Sequence, residues 1–220
     1  MNTAIKTFLS NHLLENKSAF LAIKDLHPLL EPFITEVTAL SIEESTAAFF
    51  AELEANIQNW WTNREKDIDV ESPLLAIFFE YGDLREKSEE ALAFGINKLE
   101  SLLGFQVTPY KHLGYYDFVD GFYAVPGVTL ECCAPLYKLN YANVISQEEY
   151  EDIDLDELEG YRELMNVYMY STYLALHQAL QQLYDQGKLN GINKRDPFYF
   201  LIQEHDAEAQ PLFVIANEGH

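Results

Sequence analysis

Apolar residues recur at helical spacing through the first sixty positions, and then give way to short aromatic-rich runs. Ile5, Phe8, Leu9, His12 and Leu13 share one face of a helix, and Phe20 and Ile23 predict a second short one. Pro28 and Pro32 interrupt the next stretch, although Leu29, Leu30, Phe33, Ile34 and Val37 still mark an apolar face. Ser41-Ile42-Glu43-Glu44 is a capping box, in which the Ser oxygen accepts from a free backbone N–H and Glu44 can reach back. Thr46, Phe49, Phe50, Leu53, Ile57, Trp60 and Trp61 follow at intervals of three and four, predicting an amphipathic helix of about five turns.

The period changes after a charged connector. Residues 74–81, between Pro73 and Gly82, predict a buried strand. Residues 84–103 predict a helix, with Leu92, Ile96, Leu99 and Leu103 in register and Gly104 to stop it. The alternative is a strand over 91–96 pairing back onto 74–81, because Gly95 weakens a helix. Asp120-Gly121, between apolar runs at 115–119 and 122–125, is a hairpin signal. Pro126-Gly127 then predicts a turn before a strand over 128–133. Ser146-Gln147-Glu148-Glu149 and Asp154-Leu155-Asp156-Glu157 both carry capping logic. A helix of about 30 residues is expected from there to Gln186, apolar on two sides and so packed between layers. Gly187 is its C-cap, and 198–203 with 211–216 predict a final hairpin.

Segregated runs of helices and strands favour an α+β fold over a doubly wound sheet. The expected order is N-terminal helices, an antiparallel β-meander, one long central helix packed on the sheet, and a C-terminal β-hairpin. Residues 1–62 form an N-terminal helical region that can stand as a subdomain, 63–72 a connector, and 73–220 the α+β core.

Charge changes the picture more than composition does. Thirty-six acidic residues face 14 Lys plus Arg, a net charge of −22. Such a field repels nucleic-acid backbones and anionic membranes and attracts basic partners. The 48% hydrophobic content supplies a core without disulfides or metals. The only cysteines, Cys132 and Cys133, are adjacent. On a strand they would point to opposite faces, which argues against a mutual disulfide and for a reducing, cytoplasmic setting. No apolar run reaches membrane-spanning length, and the N-terminus lacks the pattern of a signal peptide.

Candidate chemistry is sparse. An acidic segment holds Glu148, Glu149, Glu151, Asp152 and Asp154, continuing through Asp156, Glu157 and Glu159. The alternation of Asp152, Asp154 and Asp156, with Glu163 at the twelfth place, resembles an EF-hand loop. Glu157 stands where that loop needs Gly, so acids offsetting a helix dipole are the plainer reading. A tyrosine-rich stretch, with Tyr110, Tyr115, Tyr116 and Tyr123, suits a partner-binding surface. His177, on the long helix, is the residue to inspect in a pocket. No nucleotide-binding, zinc or nucleophile-elbow motif occurs, and no catalytic, cofactor or metal residue is assigned.

In its acidic, motif-poor composition the chain is similar to bacterial immunity and inhibitor proteins, a likeness that covers no specific residues. The expectation is a non-enzymatic, cofactor-free binding module for a basic protein. The alternatives are a small-molecule binder or hydrolase using paired carboxylates in a helix–sheet pocket, and a mimic of a nucleic-acid surface.

Overall fold

A computed structural model describes residues 1–62, 73–86, 89–99, 107–109, 116–119, 122–140 and 153–216. The first helix, α1 (Asn2–Ala22), is continuous. Its buried residues Ile5, Leu9, Leu13 and Phe20 form one stripe, so the expected second helix is its last turns. A turn across Pro28 and Pro32 leads into α2 (Phe33–Ala39), which buries Phe33 and Val37. Next comes α3 (Ile42–Asn56), capped as predicted: the Ser41 hydroxyl accepts from the Glu44 N–H at 3.2 Å. It widens into a π turn over Ile57–Trp61, closed by the Thr62 N–H on the Ile57 carbonyl, which buries Trp61 and leaves Trp60 partly exposed.

The strands are β1 (Leu74–Tyr81), β2 (Glu90–Leu99), β3 (Tyr116–Phe118), β4 (Val125–Thr129), β5 (Lys194–Glu204) and β6 (Gln210–Ile215). They form one mixed sheet in which β1 is central, antiparallel to β2 and parallel to β5, with β6 antiparallel to β5. The almost unbroken apolar run of β1 is what a strand buried on both faces requires.

Two expectations are corrected. Residues 90–99 are strand rather than helix, pairing Phe94 with Phe78 and Ile96 with Ala76, as the alternative reading had it. Ala91 and Ala93 are buried while Leu92 is not fully so; long-range pairing overrides the helical stripe. The Asp120-Gly121 hairpin also does not form as read. β3 and β4 pair with β2, not with each other, and lie end to end along its edge. The meander is therefore β1, β2 and the β3/β4 line, with Asp120 and Gly121 outside the described residues. Gly127 allows this line to sit close to β2, because a Cβ there would lie 2.1 Å from the Ala91 carbonyl oxygen.

A 3-10 helix (Glu131–Asn140) follows β4 in place of the expected strand end. The long helix, α4 (Tyr161–Asp185), starts later than predicted. Asp154 caps only a short 3-10 turn (Leu155–Glu157), and Gly160, at φ +94°, bends the chain before α4 begins. A Cβ at Gly160 would also strike Ile23 and Leu26. Every residue from Ser171 to His177 is buried, two turns with no face left to solvent. α4 lies against α1, α3 and β6, the layered position its two stripes predict. Gly187 ends it: its N–H meets the Tyr184 carbonyl, and the Lys188 N–H meets that of Leu183, a Schellman motif. One hydrophobic cluster runs from Ile5 in α1 to Val214 in β6. No helix among the described residues is long and apolar enough to cross a membrane. The proposed connector, 63–72, lies outside the described residues.

Candidate functional site

Because β1 and β5 run parallel, their last residues, Tyr81 and Glu204, emerge side by side at one end of the sheet. The start of α4 arrives at the same end. Between them opens a broad cleft of about 690 Å³, lined by Asp83, Arg85, Asp154, Asp156, Tyr161 and Glu204 among others. Four of those six side chains are carboxylates.

The charges there are unevenly matched. Arg85 is held by its neighbour Asp83: its Nε donates to both carboxylate oxygens at 3.0 and 2.9 Å, and its Nη2 to one of them at 2.6 Å. The Arg85 backbone N–H adds a bond of 2.8 Å. Partial burial pushes the Asp83 carboxyl up, but these bonds and the guanidinium charge outweigh it and hold the group below its ordinary range. Glu204 is the opposite case. Burial, and then the nearby Asp83 charge, raise its carboxyl above the ordinary value, and the Arg85 guanidinium offsets them only in part. Among the described residues no hydrogen bond or ion pair reaches that carboxylate. Asp154 uses one oxygen locally, accepting from the Asp156 N–H at 3.0 Å.

The predicted site residues fall in different places. Asp154 reaches the cleft, whereas Glu148, Glu149, Glu151 and Asp152 lie outside the described residues. Among the described residues no group of three or more His, Cys, Asp and Glu is arranged to hold a metal ion, so the described part of the EF-hand-like spacing gathers no such group. Tyr110 and Tyr115 lie outside the described residues, and Tyr116 is placed only as a strand residue of β3. Tyr123 is 60% exposed, with its ring edge-on to Phe94 at 5.1 Å.

His177 is buried and pinned. Its Nδ1 donates to the Leu212 carbonyl at 2.7 Å, and its ring stands edge-on to Phe213. Leu212 is the extra residue of a bulge in β6, since Leu201 pairs with Pro211 and Phe200 with Phe213. The carbonyl freed by the bulge is thus satisfied from α4. Burial lowers the imidazole's pKa, and the ring ties helix to sheet.

Sequence reading missed Asp83, Arg85 and Glu204. The close spacing of an acid and an arginine just after an apolar run was visible, but their meeting with a residue some 120 positions later depends on the parallel pairing of β1 and β5. Comparison with known protein families, with curated proteins and with solved structures finds no match.

Proposed function

We propose that this protein is a non-enzymatic cytoplasmic binding module of the inhibitor or immunity kind, and that the cleft receives a Lys or Arg side chain of a basic partner. The observation that carries the reading is Glu204: a partly buried carboxylate without a hydrogen bond or ion pair among the described residues, beside an arginine already engaged by Asp83. An incoming ammonium or guanidinium would relieve the desolvation of Glu204 and find Asp154 and Asp156 at the rim. The net charge of −22 would speed the encounter and make it salt-dependent.

The test combines capture with substitution. Tagged protein is incubated with lysate at low and high salt, and any captured basic protein is titrated against wild type and the D154N/D156N/E204Q variant. Tight binding at low salt, weakened at least tenfold by the variant, is the expected result. Capture of nothing basic at either salt, or equal binding by the variant, counts against the reading.

A second reading has one observation in its favour. Asp83 and Glu204 share the cleft with pKa values pushed in opposite directions, the pattern of a base and an acid in a small-molecule enzyme. Turnover of a small ester or glycoside substrate that is lost in both D83N and E204Q would favour it over partner binding.

A further inference from the structure

A second cleft, of about 240 Å³, opens over α4 between the turn from α2 into α3 and the 3-10 helix. Glu36, Leu40, Glu44, Glu131, Pro135 and Tyr168 are among its lining. Tyr168 is set deepest: it is 1% exposed, and its ring stands edge-on to Phe33 at 6.4 Å. Its hydroxyl is buried and meets no hydrogen-bond partner among the described residues. Folded proteins seldom leave such a group unpaired. Burial, and then the Glu36 charge, raise the phenol above its ordinary value, so it stays protonated at neutral pH. The groups that act on it include Glu36 and Cys132, both in the cleft wall, and the hydroxyl is thus turned to the cleft side.

The polar groups around that hydroxyl are mostly acceptors. Glu36 is engaged by Lys138, whose Nζ donates to it at 2.6 Å. Glu44 and Glu131 enter no ion pair among the described residues. The Ser45 hydroxyl donates to the Ser41 carbonyl at 3.1 Å, so it has lone pairs left to offer. The start of α3 also opens here. The Ser41 hydroxyl and the Glu44 carboxylate already answer the positive end of its dipole. The Cys132 sulfur lies 3.0 Å from the Thr172 hydroxyl, toward α4. No Lys, Arg, Asn or Gln side chain among the described residues lines the cleft. An anion would meet carboxylates there and no basic side chain, whereas a cation rich in N–H donors would meet acceptors.

We propose that this cleft binds a small primary alkylammonium ion. One N–H of the ligand donates to the Tyr168 hydroxyl and ends its deficit, while Glu44 and Glu131 balance the charge from the rim. Ala39, Leu40 and Pro135 give the alkyl part apolar contact. The volume lies below the roughly 300–1,000 Å³ of drug-sized pockets, so the occupant has few heavy atoms. A quaternary ammonium carries the same charge but has no N–H to give, and so does not fit. A metal ion is a poorer match, because no three ligating side chains gather among the described residues. The site is separate from the cleft at Glu204 and does not rest on the partner-binding reading.

The test is a titration of the full-length protein with n-butylammonium chloride, followed by amide chemical shifts, with tetramethylammonium chloride as the control. Saturable shifts around Ser41, Ser45, Cys132 and Tyr168 are expected with butylammonium and not with the control. Y168F should bind about tenfold more weakly, the loss of one hydrogen bond to a charged donor. It should melt no lower than wild type, because the hydroxyl it removes is unpaired. The double variant E44Q/E131Q should also weaken binding, and it decides the matter if Y168F fails to fold. D154N/D156N/E204Q, which neutralises the other cleft, should leave binding unchanged. No saturable shift, equal binding of tetramethylammonium, wild-type affinity in Y168F and E44Q/E131Q, or loss of binding in D154N/D156N/E204Q overturns the proposal. A lowered melting temperature in Y168F overturns it too, since the hydroxyl would then have a bond within the fold.

Discussion

The hydroxyls of Tyr81, the last residue of β1, and Tyr173, in the middle of α4, lie 2.8 Å apart inside the core. Each phenol is buried and each satisfies the other. Removing one hydroxyl leaves its partner without a bond in a site closed to water, which costs about 1–3 kcal/mol; removing both costs much less. Y81F and Y173F should each lower the urea midpoint, and the double variant should recover most of the loss. Strict additivity in that cycle would show that the pair is not coupled. Burial raises both phenols above their ordinary value, so the native state keeps protons that the unfolded chain releases above about pH 10. Their contribution is intact below that pH and is lost as pH rises beyond it.

His177 gives the opposite sign at the acid end. Burial lowers its pKa, and the bond to the Leu212 carbonyl only partly offsets this. The unfolded chain therefore takes up a proton near pH 6.5 that the native state refuses. Its stabilisation is present above that value and fades as pH falls through the lower native pKa. H177Q, which can still donate to Leu212, should flatten this part of the stability–pH curve. H177A should cost about 1–3 kcal/mol at pH 8 by stranding the carbonyl. An unchanged acid slope in H177Q would show that the titrating group lies elsewhere.

What was legible in the chain follows the range of the interactions. The Ser41 cap, the Gly187 stop and the β5–β6 hairpin depend on neighbours in sequence, and periodicity and cap chemistry located them. β2 was ambiguous because Leu92, Ile96 and Leu99 also fit a helix; only pairing with β1 decides between the two. The start of α4 was set too early because Asp154 has a capping residue's chemistry but caps a 3-10 turn, and Gly160 redirects the chain. The candidate cleft was the least visible part. Asp154 was read as acidic surface, while Asp83 and Glu204 join it only through a parallel pairing that sequence pattern does not encode.

The outer edge of the sheet depends on side chains of α3. Glu52 accepts from the Thr129 N–H at 2.9 Å and from its hydroxyl at 2.8 Å. Asn56 donates to the Gly127 carbonyl at 3.0 Å, and the π turn brings the Trp61 indole N–H to the Pro126 carbonyl at 2.8 Å. Three side chains thus cover the backbone of β4 where no further strand is paired among the described residues. Bonds to a charged acceptor are worth about 1.5–3 kcal/mol, so E52A should lose about that much stability in urea denaturation, and E52Q less. Hydrogen exchange at the Thr129 amide should quicken in E52A. Exchange as slow as in wild type would mean that β4 is held by β2 alone.

Glu204 should separate stability from binding. Its raised pKa means that the native state holds a proton above the pH at which the unfolded chain gives it up. The sign follows: the contribution of Glu204 to stability is fully present below the unfolded carboxyl value, about pH 4.3, and is lost as pH rises through the native one. At neutral pH the ionised carboxylate is thus a cost to the free protein. E204Q should be the more stable protein at pH 7, with the difference vanishing toward pH 4, as followed by thermal unfolding across that range. The same substitution should weaken a basic partner, because the charge that burdens the free cleft is the one an incoming ammonium or guanidinium would neutralise. A variant that is less stable at pH 7 would show that Glu204 is held by a bond within the fold, and the cleft would then have no unmet charge to offer.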